Sequence, residues 1–286
     1  MTLTTAHMIS SQILQKPIVI PLTNQLSLRM YPDSRPHCME TAALQKGLVL
    51  MFDSKERVEE GVGFGVPVVK YLDKTYFSGT AKISKQKTPS GSFIEKTYLM
   101  DTISKKTWQG NYIDDAFYSN WHKRFAKIYL SHKELSPLFN RLMEYRQLAR
   151  IKTEFVKVKP RGIVKIEYLI EGSSVDVNAD FSDLSLNGCE EMLVLNEQGS
   201  TVFDTYRDAN GLTLVGPKIG GWHQVNAKYA SMQNNSGQIT FKLDKTSEAT
   251  LFRGWERTKN RFAWAGLSYS LVPFGRTFSY TIKINS

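Results

Sequence analysis

The side chains best suited to chemistry in this sequence fall in three short segments, each of which combines tryptophan with histidine, arginine or glutamate. Flat apolar rings beside hydrogen-bonding side chains suit the faces of sugars and of nucleic-acid bases alike. The three groups are Trp121, His122 and Arg124 in the segment 117–125, Trp222 and His223 in 216–229, and Trp255, Glu256 and Arg257 in 252–266.

Two of these residues could supply acid–base chemistry, and we predict His223 and Glu256 as the catalytic pair. Proton transfer at a sugar needs a group that titrates near neutral pH, which histidine does and a perturbed carboxyl can do. The other six residues are predicted to bind ligand: Trp121, His122, Arg124, Trp222, Trp255 and Arg257. A tryptophan beside a histidine is also common in protein cores, so each segment has a purely structural interpretation as well.

The sequence predicts neither a metal site nor a cofactor. None of the five histidines lies in an HExxH motif or at a spacing typical of metal ligation. The GxSxG elbow of many hydrolases does not occur. The two cysteines, Cys38 and Cys189, lie outside any CxxC motif. We expect two free thiols there, although pairing of the two stays open.

The glycine-rich stretch "EEGVGFGVPVV" at 59–69 raises the question of a phosphate-binding loop. It lacks the Lys and hydroxyl residue that follow the second glycine of a P-loop, and its glycines are spaced two and two. The proline and valines that follow favour a strand over a helix, so no helix N-terminus is available for phosphate. We therefore predict a strand with one bare face, covered by a helical insert, by a second sheet or by a ligand, with the helix as the favoured choice.

A helical insert is predicted around residues 113–152. Apolar residues at positions 135, 138, 139, 142 and 143 form one stripe of a helix, and Ser136 followed by Pro137 suits a helix start. Between positions 122 and 152 there are eight Lys and Arg against two Glu. This basic segment is either a solvated helix face or a surface for anions.

The whole chain carries a formal net charge of +10 with a pI near 9.4. Such an excess favours anionic partners, such as nucleic acid or an acidic polysaccharide, or marks no more than a basic surface. The apolar run "PIVIPL" is too short and too interrupted by proline for a membrane span, so we predict no membrane partner and a cytoplasmic location. The sequence leaves the oligomeric state open.

Alternating apolar and polar residues predict strands over most of the remaining chain. Segments such as "IVKIEYLIEG", "QITFKLD" and "TFSYTIKIN" have the period of two that a half-buried strand requires, with Gly, Asn and Asp between them. The predicted fold class is mostly β, a large antiparallel β-sandwich with the one helical insert. We assign residues 1–25 to a loosely structured lead-in and 26–286 to a single domain.

The order of these strands, with Trp, Arg and His in the late segments, resembles the galactose mutarotase-like supersandwich family. The resemblance extends over about residues 26–284. It implies a large antiparallel β-sandwich that binds or modifies carbohydrate. The Asn-x-Thr-Asn-His-like segment of the sugar epimerases in that family does not occur here, so no catalytic residue is transferred from it.

Three hypotheses for function follow from the sequence. The first is a carbohydrate-handling protein that binds or modifies a neutral or anionic sugar; as an enzyme it would be an isomerase, lyase or hydrolase using His, Glu or Tyr. The second is a nucleic-acid-binding protein that uses the basic insert. The third is a non-catalytic structural or interaction protein, which buried tryptophan segments would favour.

Overall fold

A computed structural model of the chain describes residues 16–36, 43–52, 61–72, 74–89, 91–108, 111–113, 151–257 and 263–285. In the first half these form the strands β1 (Ile18–Pro21), β2 (Leu26–Met30), β3 (Arg35–Pro36), β4 (Ala43–Leu44), β5 (Val49–Phe52), β6 (Gly63–Tyr71), β7 (Lys74–Phe77), β8 (Thr80–Lys87), β9 (Ser92–Leu99), β10 (Thr102–Trp108), β11 (Asn111–Ile113) and β12 (Ile151–Lys157).

The second half contributes eleven more strands. They are β13 (Ile163–Glu171), β14 (Ser174–Asp180), β15 (Cys189–Gln198), β16 (Phe203–Asp208), β17 (Thr213–Val215), β18 (His223–Gln224), β19 (Tyr229–Asn234), β20 (Thr240–Asp244), β21 (Thr250–Arg257), β22 (Ala263–Leu271) and β23 (Thr277–Asn285). One 3-10 helix (Gly216–Ile219) lies between β17 and β18.

Two nine-stranded sheets contain most of these strands. The front sheet has the order β11-β10-β7-β6-β15-β22-β21-β18, with β12 also paired to β10, and the back sheet has the order β17-β16-β19-β20-β23-β14-β13-β9-β8. A three-stranded sheet β1-β2-β5 and the pair β3-β4 stand beside them. Every strand pairing among the described residues is antiparallel.

The two large sheets pack face to face, as the alternation in their strands requires. In β13 every second residue from Val164 to Ile170 is at most 3% exposed. Aromatic rings meet between the sheets: Phe64 of β6 lies 5.1 Å from Phe241 of β20, edge to face. Burying one such side chain stabilises the fold by about 1.5–3 kcal/mol relative to leaving it in water.

The predicted fold class is confirmed in its main feature, a mostly β architecture of antiparallel sheets. The helical insert is not shown, because residues 114–150 lie outside the described part of the chain. At its predicted edges the structure has strands: β11 runs to Ile113, and β12 begins at Ile151. β12 pairs with β10 and therefore belongs to the front sheet. The prediction of helix is thus wrong for residues 113, 151 and 152, which lie in strands.

The predicted lead-in is in part a strand. Residues 18–21 form β1, which pairs with β2, while residues 1–15 lie outside the described part. The assignment of 26–286 to a single domain stays a prediction. No helix in the described ranges is long and apolar enough to cross a membrane.

The glycine run is a distorted strand, as its failure to match a phosphate loop indicated. Gly61, Gly63 and Gly65 all have positive φ, of 56°, 87° and 74°, so glycine is needed there for its backbone freedom. Gly65 sits at a break in the register between β6 and β15, a bulge.

We predicted that the helical insert covers these glycines, and the atoms nearest to them show that this prediction is wrong. A Cβ on Gly65 would come within 2.7 Å of the Tyr168 hydroxyl, which belongs to β13 in the back sheet. That hydroxyl donates to the carbonyls of Phe64 and Gly65, at 3.0 Å each. Cβ atoms on Gly61 and Gly63 would meet the backbone of neighbouring residues of this chain. The second sheet and the backbone, rather than a helix or a ligand, supply the nearest atoms.

Candidate functional site

The structure describes five of the eight predicted site residues. Trp222 directly precedes β18, which begins at His223, and Trp255, Glu256 and Arg257 end β21. Trp121, His122 and Arg124 lie outside the described residues, so their roles stay predictions. The described residues therefore come from two neighbouring strands at one edge of the front sheet.

Strand alternation divides these residues between the two faces of the front sheet. Trp255 packs against the main core between the sheets, so Glu256, the next residue of the strand, points to the outer face. Arg257 is exposed at the end of the strand. Trp255 and Glu256 therefore do not share a surface, although they are adjacent in sequence.

The predicted catalytic pair is not brought together. The register places His223 opposite Arg253, and residues opposite each other in a sheet point to the same face. Arg253 and Glu256 are three positions apart in β21, so their side chains point to opposite faces. No hydrogen bond joins His223 to Glu256 in the described part of the chain. Acid–base chemistry shared by these two side chains has no support in the geometry.

His223 instead lies against the turn before β18. A Cβ on Gly220 would come within 2.5 Å of its Nε2 atom, and Gly220 has a φ of 71°. The carbonyl of Gly220 accepts a hydrogen bond of 2.8 Å from the backbone N–H of Trp255. The imidazole thus packs on a glycine that is fixed to β21.

Trp222 is the large apolar residue of this turn, and it faces solvent. Its side chain is 42% exposed, and its φ of 41° makes it the only described non-glycine residue in the left-handed region. Such a backbone costs a bulky residue about 1–2 kcal/mol. Its ring is held by two others, Phe252 at 6.1 Å and Trp264 at 6.0 Å between centroids. The fold therefore holds a partly exposed aromatic ring in place on a strained backbone, a combination that makes Trp222 a candidate for a functional role.

Trp264 connects this ring to a carboxylate. It lies opposite Glu256 in the pairing of β22 with β21, and its Nε1–H donates a hydrogen bond of 3.1 Å to Glu256 Oε2. A Cβ on Gly254 would come within 2.5 Å of the Trp264 ring. Glycine at this position leaves the space that the indole of Trp264 occupies next to β21.

A second carboxyl, Glu197 of β15, approaches from the other side of β22. It lies opposite Gly266, and a Cβ on Gly266 would be 3.0 Å from its Cγ atom. Glu197 is 4% exposed. Burial raises the pKa of Glu197 to about 8; Lys46 acts against this shift and Glu256 adds to it.

These side chains form one group on the outer face of the front sheet, in which Trp222 is exposed, Phe252 and Glu256 are partly exposed, and Trp264 and Glu197 are buried. We call it the tryptophan–carboxylate patch and define it by Trp222, Phe252, Trp264, Glu197 and Glu256. Glu256 and Trp222 were predicted from the sequence. Glu197, Trp264 and Phe252 were not, since their link to Glu256 depends on the order of β15, β22 and β21 in the sheet. The one signal in the sequence for Trp264 and Phe252 was their place in the segment 252–266.

The described residues contain no group of three or more His, Cys, Asp or Glu side chains that could hold a metal ion. Cys189 has a free, half-buried thiol, and burial raises its pKa. The candidate site, as defined by its five residues, therefore consists of aromatic rings and carboxyl groups.

No protein-family model matches the chain, and no curated protein sequence does. Among solved structures it is similar to an alpha-N-acetylgalactosaminidase from Bifidobacterium bifidum in complex with GalNAc, with 9% identity and a TM-score of 0.44, over 94% of this chain and 35% of that one. A 4-alpha-glucanotransferase from Thermococcus litoralis aligns with 7% identity and a TM-score of 0.42, over 94% of this chain and 37% of that one. The chain thus spans little more than a third of the length of these two proteins.

A third similar structure is a galactose mutarotase-like protein from Lactobacillus casei. It aligns over 94% of this chain and 99% of its own length, with 9% identity and a TM-score of 0.40. The weak resemblance to the galactose mutarotase-like family that the sequence indicates therefore recurs among the structures similar to this chain.

Proposed function

We propose that this protein binds carbohydrate at the tryptophan–carboxylate patch. The observation that carries the proposal is the Trp222 ring, 42% exposed and held in place by Trp264 and Phe252. Trp264, which contacts this ring, also donates a hydrogen bond to the carboxylate of Glu256. A rigid apolar ring next to an oriented acceptor is the combination that a sugar needs.

The chemistry of a sugar matches both parts of the patch. The C–H face of a pyranose packs on a flat aromatic ring, while its hydroxyls at the rim donate to carboxylate oxygens. Hydrogen bonds to an ionised acceptor are about twice as strong as neutral ones. Trp222 would supply contact area, and Glu256 would fix the orientation of the ligand.

An uncharged sugar fits this patch better than an anionic one. The two ionisable groups of the patch are both carboxyls, Glu197 and Glu256, and Glu256 helps to raise the pKa of Glu197. A sugar carboxylate or phosphate placed here would be repelled by Glu256. The net charge of +10 therefore does not select the ligand of this surface.

Isothermal titration calorimetry with D-galactose, D-glucose, N-acetyl-D-galactosamine and D-glucuronate tests the proposal. We expect at least one of the neutral sugars to bind and D-glucuronate to bind more weakly. Trp222→Ala should lower the affinity at least tenfold, because about 1.4 kcal/mol of ring contact is lost. Tyr229→Ala is the matched control: Tyr229 is also a large aromatic residue, 39% exposed, but lies in the back sheet.

Nucleic-acid binding through the basic segment around 113–152 is the alternative, and its residues lie mostly outside the described chain. A single-stranded oligonucleotide titrated at two salt concentrations separates the two functions. Affinity for nucleic acid falls steeply as salt rises, whereas affinity for a neutral sugar should stay constant. Salt-sensitive oligonucleotide binding without any sugar binding would replace the carbohydrate proposal.

A further inference from the structure

Glu197 is the most unusual polar residue of the front sheet. In β15 it stands between Asn196 and Gln198, and all three are at most 4% exposed. The register places it opposite Gly63 on one side and Gly266 on the other. Because neither glycine has a side chain, no side chain from these two positions lies next to that of Glu197.

The two residues next to Glu197 in the sequence, Asn196 and Gln198, are buried polar residues whose side chains form hydrogen bonds within the protein. Asn196 Oδ1 accepts from the Gly65 N–H at 3.0 Å and from the Tyr280 hydroxyl at 2.8 Å. Gln198 accepts from the Leu50 N–H at 3.0 Å and donates to the Leu48 carbonyl at 3.2 Å. Both amides therefore exchange hydrogen bonds with the protein.

Glu197 has no such partner. Among the described residues no hydrogen bond and no ion pair reaches its carboxyl group, although the side chain is 4% exposed. Its carboxyl oxygens are nevertheless not among the fully buried side-chain atoms of the described residues that lack a partner, so they keep a small contact with solvent. Its Cγ atom lies across Gly266, in the direction of the strand that carries Glu256. The side chain therefore leans over Gly266 on the outer face of the sheet, where Glu256 is near enough to affect its charge.

The charged groups that face it determine its protonation. They are Lys46, on the segment after β4, and Glu256, on β21. Burial has the largest effect and raises the pKa of Glu197 to about 8; Lys46 lowers it and Glu256 raises it further. At pH 7 the group is therefore mostly a neutral carboxylic acid, with one O–H donor and an acceptor oxygen.

We propose that Glu197 contacts the ligand of this patch and donates its carboxylic acid proton in a hydrogen bond to an oxygen of the bound sugar. The inference rests on the proposed function. Glu256, held by Trp264, accepts from a sugar hydroxyl, while Glu197 donates to a ring or hydroxyl oxygen. One donor and one acceptor on the same face distinguish sugars by the orientation of neighbouring oxygens.

The test is the pH dependence of sugar affinity, measured by calorimetry with the same four sugars at pH 6 and pH 9. For the wild type we expect at least tenfold weaker binding at pH 9, where Glu197 is ionised and cannot donate. Glu197→Gln keeps a donor that does not titrate, so its affinity should be within about twofold of the wild-type value at pH 6 and the same at pH 9. Glu197→Leu has no donor and should bind at least tenfold more weakly at both pH values.

Thermal unfolding of each variant distinguishes a lost contact from a lost fold. Glu197→Leu should unfold at a temperature no lower than the wild type, since an unpartnered buried carboxyl is replaced by an apolar group. Sugar binding that ignores pH in the wild type, or that survives Glu197→Leu, overturns this inference and leaves the proposed function intact. A wild type that binds none of the four sugars at either pH overturns the proposed function and this inference together.

Discussion

The indole N–H of Trp264 donates a hydrogen bond of 3.1 Å to the carboxylate of Glu256 across the pairing of β22 with β21. The two residues lie opposite each other, so the bond is a property of the sheet register. The same Trp264 ring lies 6.0 Å from the ring of Trp222, so it links the carboxylate to the exposed tryptophan. The orientation of the patch is therefore built into the sheet rather than into a loop.

Removing this hydrogen bond should weaken both fold and site. Trp264→Phe keeps an aromatic ring but deletes the donor to Glu256, and we expect it to lower the free energy of unfolding by about 1–2 kcal/mol more than its control. The control is Trp255→Phe in the neighbouring strand, whose Nε1–H is buried without a partner in the described structure. Urea denaturation of both variants measures the difference. Equal losses would show that the bond to Glu256 contributes nothing.

The raised pKa of Glu197 should make the protein less stable as pH rises. Between about pH 4.5 and pH 8 the folded protein holds a proton on Glu197 that the unfolded chain has released. Unfolding then releases a proton, so higher pH favours the unfolded state. Glu197→Gln should remove this decline, which we expect to amount to a few kcal/mol, roughly 1.4 kcal/mol per unit of pKa shift.

Denaturation curves at pH 5, 6, 7 and 8 measure this slope. Glu190→Gln, on the exposed side chain seven positions earlier in the same strand, is the matched control and should keep the slope of the wild type. A Glu197→Gln variant with the wild-type slope would mean that Glu197 is ionised in the fold at neutral pH, which would contradict the raised pKa.

Lys96 should have the opposite effect, in a more alkaline range. It is fully buried, and burial lowers its pKa from 10.5 to about 7. Between these values the unfolded chain holds a proton that the folded protein has lost, so stability should rise with pH. Its Nζ donates to the carbonyls of Tyr31 and Lys46, at 3.0 and 2.8 Å. Lys96→Met should therefore remove the rise and cost about 1–3 kcal/mol in all, because the Tyr31 carbonyl loses this donor while the Lys46 carbonyl keeps the Tyr98 hydroxyl at 3.2 Å.

Calorimetric unfolding between pH 7 and pH 10 measures the effect of Lys96→Met. Lys82→Met on the exposed strand β8 is its control and should leave both stability and slope unchanged. If Lys96→Met retained the rise above pH 7, another group would be responsible for it.

Gly65 should tolerate no side chain. Gly65→Ala places a Cβ 2.7 Å from the Tyr168 hydroxyl, on a backbone with a φ of 74°. We expect a loss of about 2–5 kcal/mol, from left-handed strain and overpacking together. Gly172→Ala isolates the strain, since Gly172 has a φ of 56° and nothing within 4 Å of its Cβ position; it should cost about 1–2 kcal/mol. Guanidinium denaturation of the two variants would contradict the packing argument if both losses were the same.

The sequence predicted the strands well because their signal is local. In β13 the alternation of apolar and polar residues matches the alternation of buried and partly buried positions along the whole strand. A period of two also placed Lys96 on the face of Ile94 and Tyr98, all three of which are buried. The inward position of Lys96 thus follows from the pattern of β9, although it was not predicted.

The candidate site was predicted less completely, because it depends on register. Glu256 was found through the tryptophan next to it, yet the ring that contacts it is Trp264 on another strand. Glu197 lies in "LNEQGS", a stretch with no local mark of a site. Its approach to Glu256 follows from β22 lying between β15 and β21, an order that no short segment encodes. For the same reason the predicted pairing of His223 with Glu256 could not be tested by their spacing in the chain.

The most direct test of carbohydrate binding at the tryptophan–carboxylate patch is a crystal structure of the protein with the neutral sugar that binds best. We expect a pyranose ring stacked on Trp222, with one hydroxyl within hydrogen-bond distance of Glu256 Oε1 or Oε2. A sugar bound elsewhere, for example in the cleft lined by Phe203, Asn234 and Gln198, would contradict the proposed site.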